Sequence, residues 1–181
     1  KNGGTIPQFT SCCPAWVRFA EIYFPELLPN ISSTRSCIAM EAAMIKTYFA
    51  EKKGIDPRNI VSVSVNPCTA KKAETKREEQ NSAARYHNDE SLGLDTDISI
   101  TTREFIYWLN DENVDFESLE DSQFDDLIGM ETGASIIFGN TGGVMESAMR
   151  AAYKMATGED APQTLIPFEA IRGMDGAREA D

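Results

Sequence analysis

The sequence has little that would place it in a membrane or on a nucleic acid. Charged residues interrupt every hydrophobic stretch after a few positions, which excludes a membrane span. The first residues contain no apolar segment, so we expect no signal peptide. Basic residues are scarce, with 17 Lys and Arg against 29 Asp and Glu and a net charge of -12. Nucleic acids bind basic surfaces, so the charge balance also excludes a nucleic-acid partner.

Internal repeats and low-complexity linkers are absent too, and the composition is that of a globular protein. Of the residues, 41% are hydrophobic and 25% are charged. A chain of 181 residues is long enough for one domain with a sizeable core. We therefore predict a single domain over residues 1–181. Because the chain lacks an initiator Met, we expect it to be a segment of a longer polypeptide.

Cysteine is infrequent, and the four thiols do not indicate a disulfide framework: Cys12, Cys13, Cys37 and Cys68. Adjacent cysteines rarely pair with each other, because a disulfide across one peptide bond is strained. Nothing else marks the chain as secreted. We therefore predict reduced thiols in a cytoplasmic protein, available for metal or redox chemistry. Cys37 has no companion motif and is interpreted as a packing residue, and the lone His87 as a surface residue.

Helical and strand patterns alternate along the chain. Hydrophobic spacing predicts helices at 14–23, 37–53 and 144–156, and one that begins after Thr101 or Thr102 and buries Phe105, Trp108 and Leu109. Ser36 and Gly54 are predicted to begin and end the second helix. Apolar and β-branched runs predict strands at 60–65, 97–100, 134–138 and 164–171. The polar stretch 71–94 is predicted to lie on the surface. This order predicts the α/β class, with a small, mostly parallel β-sheet flanked by helices.

Two cysteine-containing loops are candidates for chemistry. Cys12 and Cys13 precede a helix, where the free N–H groups and the helix dipole favour a thiolate. This position favours a metal ligand or a redox thiol over plain packing. Cys68 follows the end of a strand, where open α/β sheets place their ligands. Lys71 would put an ammonium beside it, and Glu74 could pair with Lys71 or carry protons. The alternative for this second loop is an ordinary surface loop.

A third loop, at 139–146, is rich in glycine and leads into a helix. A glycine-rich turn before a helix N-terminus can bind an anion. The loop lacks the lysine of a nucleotide-binding P-loop, so nucleotide binding is not expected. Close backbone packing, where only glycine fits, explains the same residues equally well.

The three loops together resemble the catalytic domain of iron-only (di-iron, FeFe) hydrogenases. The motifs are Thr-Ser-Cys-Cys-Pro-Ala-Trp at 10–16, Pro-Cys-Thr-Ala-Lys-Lys-Ala-Glu at 67–74 and Thr-Gly-Gly-Val-Met-Glu at 141–146. Their order and spacing agree with the family as well, and the resemblance runs over residues 1–181. It implies that the chain is one lobe of the two-lobed hydrogenase catalytic domain.

The resemblance implies a cofactor and its ligands. In that family a 4Fe-4S cluster is bridged through a cysteine to a di-iron centre with carbonyl, cyanide and dithiolate ligands, and the assembly is called the H-cluster. By motif match, Cys13 and Cys68 resemble ligands of the 4Fe-4S cluster. Cys12 resembles the thiol that passes protons to the dithiolate amine, and Lys71 the lysine that hydrogen-bonds a cyanide. These roles are expectations carried over from the family.

Other positions match the family's pattern less closely. Ser32 falls at the serine of the family's proton path, with Glu74 as support near the site. Pro67 and Asn66 lie beside the cofactor, but Asn66 stands where the family usually has a Met packed over the di-iron site. Cys37-Ile38-Ala39 replaces the usual Pro-Gln-Gln. The family's third cysteine motif, which completes the cluster, is not in this chain.

The resemblance implies an enzyme of the ferredoxin-type hydrogenase class, which interconverts H2 with protons and electrons. We expect ferredoxin or another electron carrier and the remainder of the polypeptide as partners. We expect the isolated chain to be inactive and to lack the cofactor. A hydrogen sensor or a cluster-assembly relative with little turnover is the alternative within the family. A thiol-redox or binding module that uses Cys12 and Cys13 is the alternative from another class.

Overall fold

The computed structural model describes residues 4–125, 127–129, 133–163, 165, 169–171, 173 and 176–179. The chain divides into two compact units, residues 1–128 and residues 129–181. The single domain over residues 1–181 that the length of the chain predicts stays a prediction.

The first unit alternates short helices with two strands. Its helices are α1 Pro14–Tyr23, α2 Cys37–Met44, α3 Ala50–Lys53, α4 Lys71–Glu74, α5 Ser82–His87 and α6 Thr102–Asp111. A π-helical turn, Ile45–Phe49, joins α2 to α3, and 3-10 turns lie at Pro25–Asn30, Pro57–Asn59, Glu90–Leu92 and Phe116–Ser118. The strands are β1 Val63–Asn66 and β2 Ile98–Thr101.

Within the described residues, β1 and β2 pair in parallel as a two-stranded sheet. Val63 lies opposite Ile98, and Asn66 lies opposite Thr101. Parallel neighbours need a crossover connection, and here it carries α4 and α5. The predicted α/β class with a small parallel sheet and flanking helices is confirmed.

The helix ends follow the capping residues read from the sequence. Ser36 Oγ accepts a hydrogen bond from the backbone N–H of Ala39 at 3.3 Å and begins α2. Gly54 adopts the left-handed conformation, with φ of 65°, and ends α3. Thr101 and Glu104 form a reciprocal capping box at the start of α6. The predicted helix boundaries at 14–23 and 37–53 are confirmed, and Thr101 is the cap.

The sheet does not bury the side chains that the sequence predicted. β1 begins at Val63 rather than at residue 60, and Val63 and Val65 are about half exposed. Asn66, on the opposite face, is buried. The prediction of a buried apolar strand is therefore wrong, because the polar face of β1 turns inward. Trp108 on α6 is also exposed rather than buried.

The interior of the first unit is built from small and polar residues. Its buried apolar residues are Ala20, Ala39, Ala42, Ala50, Ala83, Ala84 and Leu92. The stretch 71–94, predicted to lie on the surface, supplies buried Lys71, Glu74 and Gln80. That prediction is wrong because these polar groups find hydrogen-bond partners, which removes most of the cost of burial.

Asp95 is the most highly connected of the buried polar residues. Its side chain is 1% exposed, and its carboxylate accepts hydrogen bonds from the backbone N–H groups of Ser82 and Ala83 at 2.8 and 2.7 Å. Arg35 Nη1 lies 3.2 Å from Asp95 Oδ2, which also accepts the N–H of Ser82, and it donates to Gln80 Oε1 at 3.0 Å. Asp95 therefore satisfies free N–H groups at the start of α5 and fixes Arg35 beside it.

The second unit is an α-helical hairpin followed by a short strand pair. Its elements are α7 Gly133–Phe138, α8 Gly143–Thr157, β3 Glu169–Ala170 and β4 Arg178–Glu179, and β3 pairs antiparallel with β4. The strand predicted at 134–138 is wrong, because these residues form α7. A short apolar run fits either element, and here packing against α8 selects the helix. The predicted helix at 144–156 is confirmed as α8, and the predicted strand at 164–171 falls partly outside the described residues.

Close packing explains one glycine of the turn between α7 and α8. A Cβ added at Gly143 would overlap the carbonyl oxygen of Ile137, whereas Gly139 has open space beside it. The packing interpretation of the third loop therefore holds at Gly143. In the described part of the chain, no helix is both long and apolar enough to cross a membrane.

We predict that Asp95→Asn lowers the free energy of unfolding by about 3 kcal/mol, because it keeps the side-chain size but leaves Arg35 without its counter-charge. Urea denaturation of the purified chain measures this. Asp111→Asn, at the exposed end of α6, is the matched control and should change the value by less than about 0.5 kcal/mol. Equal losses in both variants would contradict the role assigned to Asp95.

Candidate functional site

Lys71 lies at the centre of the candidate site. Its side chain is 11% exposed, and its Nζ donates to the backbone carbonyl of Cys12 at 2.9 Å and to Glu74 Oε2 at 2.8 Å. Glu74 follows one helical turn later on α4 and is itself 8% exposed. A buried ammonium needs such partners, because an unpaired charge in the interior costs several kcal/mol. The structure therefore joins Lys71, Glu74 and Cys12, three of the residues singled out from the sequence.

Cys13 occupies the N-cap of α1. Its Sγ accepts a hydrogen bond from the backbone N–H of Trp16 at 3.4 Å, and Pro14 takes the first helical position. This hydrogen bond fixes the position of the Cys13 sulfur at the start of the helix. Cys13 is exposed and Cys12 is half-buried. The prediction of two thiols at a helix start is confirmed.

Asn66 is the last residue of β1, and Pro67 and Cys68 follow the strand directly, as predicted for Cys68. Asn66 ends the strand and is buried, Pro67 is exposed, and Cys68 is half-buried. The carbonyl of Cys68 accepts the backbone N–H of Lys71 at 3.3 Å, which links this loop to α4. Among the described residues, Asn66 Oδ1 has no hydrogen-bond partner. A buried polar group without a partner costs about 1–3 kcal/mol.

Ser32 and Glu74 line one cavity of about 280 Å³. Ser32 Oγ accepts the backbone N–H of Thr34 at 3.2 Å, and the Ser32 backbone N–H donates to Phe9 at 2.8 Å. The cavity wall also contains Ser11, Pro14, Arg35 and Arg77. The structure thus brings the predicted proton-path serine and the predicted support carboxylate to the same space.

Arg35 and Arg77 were not singled out from the sequence. Arg77 binds Glu21 Oε1 at 2.5 Å and Glu79 Oε1 at 2.5 Å, and its hydrogen bonds lower the pKa of both carboxyl groups. The ion pair of Arg77 and Glu79 forms part of the wall of the cavity. No motif surrounds either arginine, and Asp95 and Glu21, which bind Arg35 and Arg77, are distant in sequence, so only the folded chain reveals these contacts.

Cys37 and His87 play no part in this arrangement. Cys37 is exposed at the first position of α2, so its interpretation as a packing residue is wrong. His87 Nε2 lies 2.9 Å from the carbonyl of Lys46, half-buried rather than on the open surface.

The thiols of the site supply part of the ligand set that an iron–sulfur cofactor needs. Thiolates are the usual ligands of 4Fe-4S clusters, and Cys13 and Cys68 provide two of the four required. Within the residues described, no group of three or more His, Cys, Asp or Glu is arranged to hold a metal ion. The buried ammonium of Lys71, which is hydrogen-bonded to the backbone of Cys12, supplies a donor beside the thiol loop. The residues present therefore fit part of such a site.

The whole chain, residues 1–181, matches the family model of the iron-only hydrogenase large subunit, C-terminal domain. The chain belongs to this iron-only hydrogenase family. It is 45% identical to the periplasmic Fe hydrogenase large subunit of Nitratidesulfovibrio vulgaris over 99% of the chain and 40% of that protein. It is 44% identical to iron hydrogenase 1 of Clostridium pasteurianum over 100% of the chain and 30% of that protein.

Solved hydrogenase structures share the fold. A variant of the apo FeFe-hydrogenase HydA1 from Chlamydomonas reinhardtii aligns with a TM-score of 0.72 at 40% identity, covering 95% of this chain and 41% of that one. More distant relatives include the cytosolic Fe-S cluster assembly factor narfl of Xenopus tropicalis, 32% identical over 82% of this chain and 31% of that protein. This iron-only hydrogenase chain spans less than half the length of these relatives.

The Lys72–Glu104 ion pair joins α4, which carries Lys71, to α6. Because the pair contains a titratable carboxyl group, the stability of the fold depends on pH. The pKa of Glu104 is lowered from 4.5 to about 2, chiefly by the hydrogen bond from Lys72 and secondly by the hydrogen bonds from Thr101. Because folding lowers the pKa of this carboxyl group, its ionised form stabilises the fold above pH 4.5. This stabilisation is lost as the pH falls toward 2 and the group is protonated. We expect the melting temperature of the chain to drop more steeply over this window than that of Glu104→Gln. Thermal denaturation followed by circular dichroism measures this, and the exposed Glu117→Gln should behave as the unmodified chain.

Proposed function

We propose that this chain is one lobe of an iron-only hydrogenase catalytic domain, and that the full protein converts H2 reversibly into two protons and two electrons. The observation that carries the proposal is the placement of Lys71. Its buried ammonium hydrogen-bonds the backbone of Cys12, so the family's cyanide-binding lysine and its proton-relay thiol belong to one connected site. When bound, the H-cluster supplies the H2 chemistry and accepts the electrons.

Lys71 has the hydrogen-bonding capacity that this role needs. A lysine ammonium carries three N–H donors, and two of them are used by Cys12 and Glu74. One donor is left to bind an anionic cyanide. Glu74 balances the charge of Lys71 and holds the ammonium in place, so we infer that Glu74 acts mainly as a positioning residue.

Cys13 and Cys68 are the proposed ligands of the 4Fe-4S cluster. The N–H of Trp16 holds the Cys13 sulfur at the start of α1, and the backbone carbonyl of Cys68 is hydrogen-bonded to the N–H of Lys71. Two ligands do not hold a four-iron cluster in the usual way, so we propose that further ligands come from the rest of the polypeptide. The isolated chain is then expected to be inactive.

Cys12 is the proposed proton relay, with Ser32 farther along the path. The cavity of about 280 Å³ beside Ser32 and Glu74 has room for several water molecules. Ser32 Oγ accepts one hydrogen bond from Thr34, and its own O–H remains available to donate to water. A chain of water molecules in this cavity would carry protons between Ser32 and the thiol loop.

The electron partner and the compartment are also proposals. We propose ferredoxin as the electron carrier and a cytoplasmic location. One relative, 45% identical, is named as an NADP-reducing hydrogenase subunit, and another is named as periplasmic. Family membership by itself therefore fixes neither the carrier nor the compartment.

A cluster-assembly or sensory role is the second candidate. One relative that is named as a cluster assembly factor matches 82% of the chain, and Asn66 departs from the usual Met of the catalytic enzymes. Identity is 45% to one hydrogenase against 32% to this assembly factor, and the chain keeps the cysteine and lysine, Cys12 and Lys71, for which we propose roles in chemistry rather than in cluster ligation. These observations favour the catalytic function.

We predict that Cys12→Ala lowers H2 turnover of the full-length, cofactor-loaded protein by about 10²-fold or more, because positioned proton transfer contributes at least this much. Anaerobic H2 evolution with a reduced dye as electron donor measures it. Cys37→Ala removes a thiol that lies outside the site and should keep full activity. Little turnover in the loaded, unmodified protein would contradict the catalytic function and favour the sensory or assembly alternative.

A further inference from the structure

Arg77 makes two ion pairs that differ in what they connect. It lies in the turn that follows α4, where its backbone N–H donates to the carbonyl of Glu74 at 3.1 Å. One partner, Glu79, is only two residues away in sequence, so this pair stays within one segment. The other partner, Glu21, is 56 residues away and lies on α1. Of the two pairs, the one with Glu21 therefore joins the segment of α4 to the helix that begins at Cys13.

The contact between Arg77 and Glu21 is a two-point contact. Arg77 Nη1 lies 3.2 Å from Glu21 Oε2, and Nη2 lies 2.5 Å from Oε1, so the guanidinium and the carboxylate face each other through two N–H···O contacts. The side chains of Arg77 and Glu21 are 33% and 26% exposed, which shields the pair partly from solvent. A paired contact of this kind fixes the relative orientation of the two groups as well as their distance.

The start of α1 and its last turn are both held by the segment of α4. Lys71 Nζ donates to the carbonyl of Cys12 just before the helix, and Arg77 binds Glu21 near the end of the helix. About 12 Å of helix separates these two points, at a rise of about 1.5 Å per residue. A single contact lets a helix pivot about it, whereas two contacts this far apart fix the direction of its axis. The pair of Arg77 and Glu21 therefore bears on how Cys12 meets the ammonium of Lys71.

We propose that Arg77 and Glu21 are positioning residues of the candidate site, which hold Cys12 against the ammonium of Lys71 by fixing α1 against α4. This inference rests on the proposed function, because that function gives Lys71 a cyanide to bind and Cys12 a proton to pass. The ion pair acts through the backbone, since Lys71 is bonded to the carbonyl of Cys12. A tilt of α1 would move this carbonyl and would redirect the donor of Lys71 that is left for the cyanide.

Thiol alkylation of the full-length protein, before it is loaded with cofactor, tests this geometry. Iodoacetamide modifies accessible thiols, and mass spectrometry gives the rate at each cysteine separately. Cys12 is half-buried, so a loosened α1 should expose it more often. Glu21→Gln removes the charge at nearly constant shape. We expect it to raise the alkylation rate of Cys12 by about two- to fivefold, the range that loss of one partly exposed ion pair supports.

Glu79→Gln is the matched control. It removes the other ion pair of Arg77 and leaves the contact with α1 in place, so the Cys12 rate should equal that of the unmodified protein. A purely stabilising role would raise the rate in both variants alike. The exposed Cys37 is an internal reference, and its rate should be the same in every variant. An unchanged Cys12 rate in Glu21→Gln, or an equal rise in Glu79→Gln, would overturn the inference.

Arg77→Lys is a second variant, in which the positive charge is kept. A lysine ammonium cannot reproduce the planar fork of a guanidinium, so the two-point contact is lost. We expect the alkylation rate of Cys12 to rise in this variant as well. A rate equal to that of the unmodified protein would show that the geometry of the pair does not matter, which would overturn the positioning role.

Infrared spectroscopy of the cofactor-loaded protein separates the inference from the function on which it rests. Cyanide stretching bands report the hydrogen bond from Lys71, so Glu21→Gln should shift or broaden a cyanide band and Glu79→Gln should leave it in place. Cyanide bands that are present and do not change in Glu21→Gln would overturn the inference alone. Absence of cyanide bands from the loaded, unmodified protein would overturn the proposed function, and the alkylation rates of Cys12 would still decide whether the ion pair holds this loop.

Discussion

The ammonium of Lys71 is the charge around which the candidate site is arranged. It lies almost out of reach of solvent, so it must be matched by partners within the chain. Glu74 supplies the opposite charge one helical turn away, and the backbone of Cys12 supplies an acceptor from a loop far away in sequence. Because the Cys12 partner is a carbonyl, the contact fixes the position of the loop and leaves the thiol free for chemistry.

Throughout the interior of the first unit, buried polar groups are likewise matched by partners within the chain. Its buried apolar residues are mostly alanines, which supply little hydrophobic stabilisation each. Paired polar groups carry the long-range contacts: Asp95 links Arg35 to the start of α5, and Lys46 Nζ binds Asp97 Oδ1 at 2.8 Å. A core of this kind positions its side chains by directional bonds. That property suits a site in which donors must meet a cofactor at fixed points.

Two side-chain atoms among the described residues are exceptions to this pattern. Asn66 Oδ1 and Ser99 Oγ are buried without a hydrogen-bond partner, whereas the other buried side-chain polar groups are paired. Asn66 ends β1 and Ser99 lies on β2, so the two-stranded sheet is the least fully hydrogen-bonded part of this interior.

The sequence by itself determined the family, the α/β class and the local features near each motif. The Cys-Cys-Pro and Pro-Cys-x-x-Lys motifs are local, and caps such as Ser36, Thr101 and Gly54 act within one helical turn, so both can be read from neighbouring residues. Only the tertiary structure decided which surfaces are buried. The polar face of β1 turned inward, residues 134–138 became a helix against α8, and Arg35 and Arg77 reached the cavity. Burial and pairing depend on partners distant in sequence, and no local pattern records where those partners will lie.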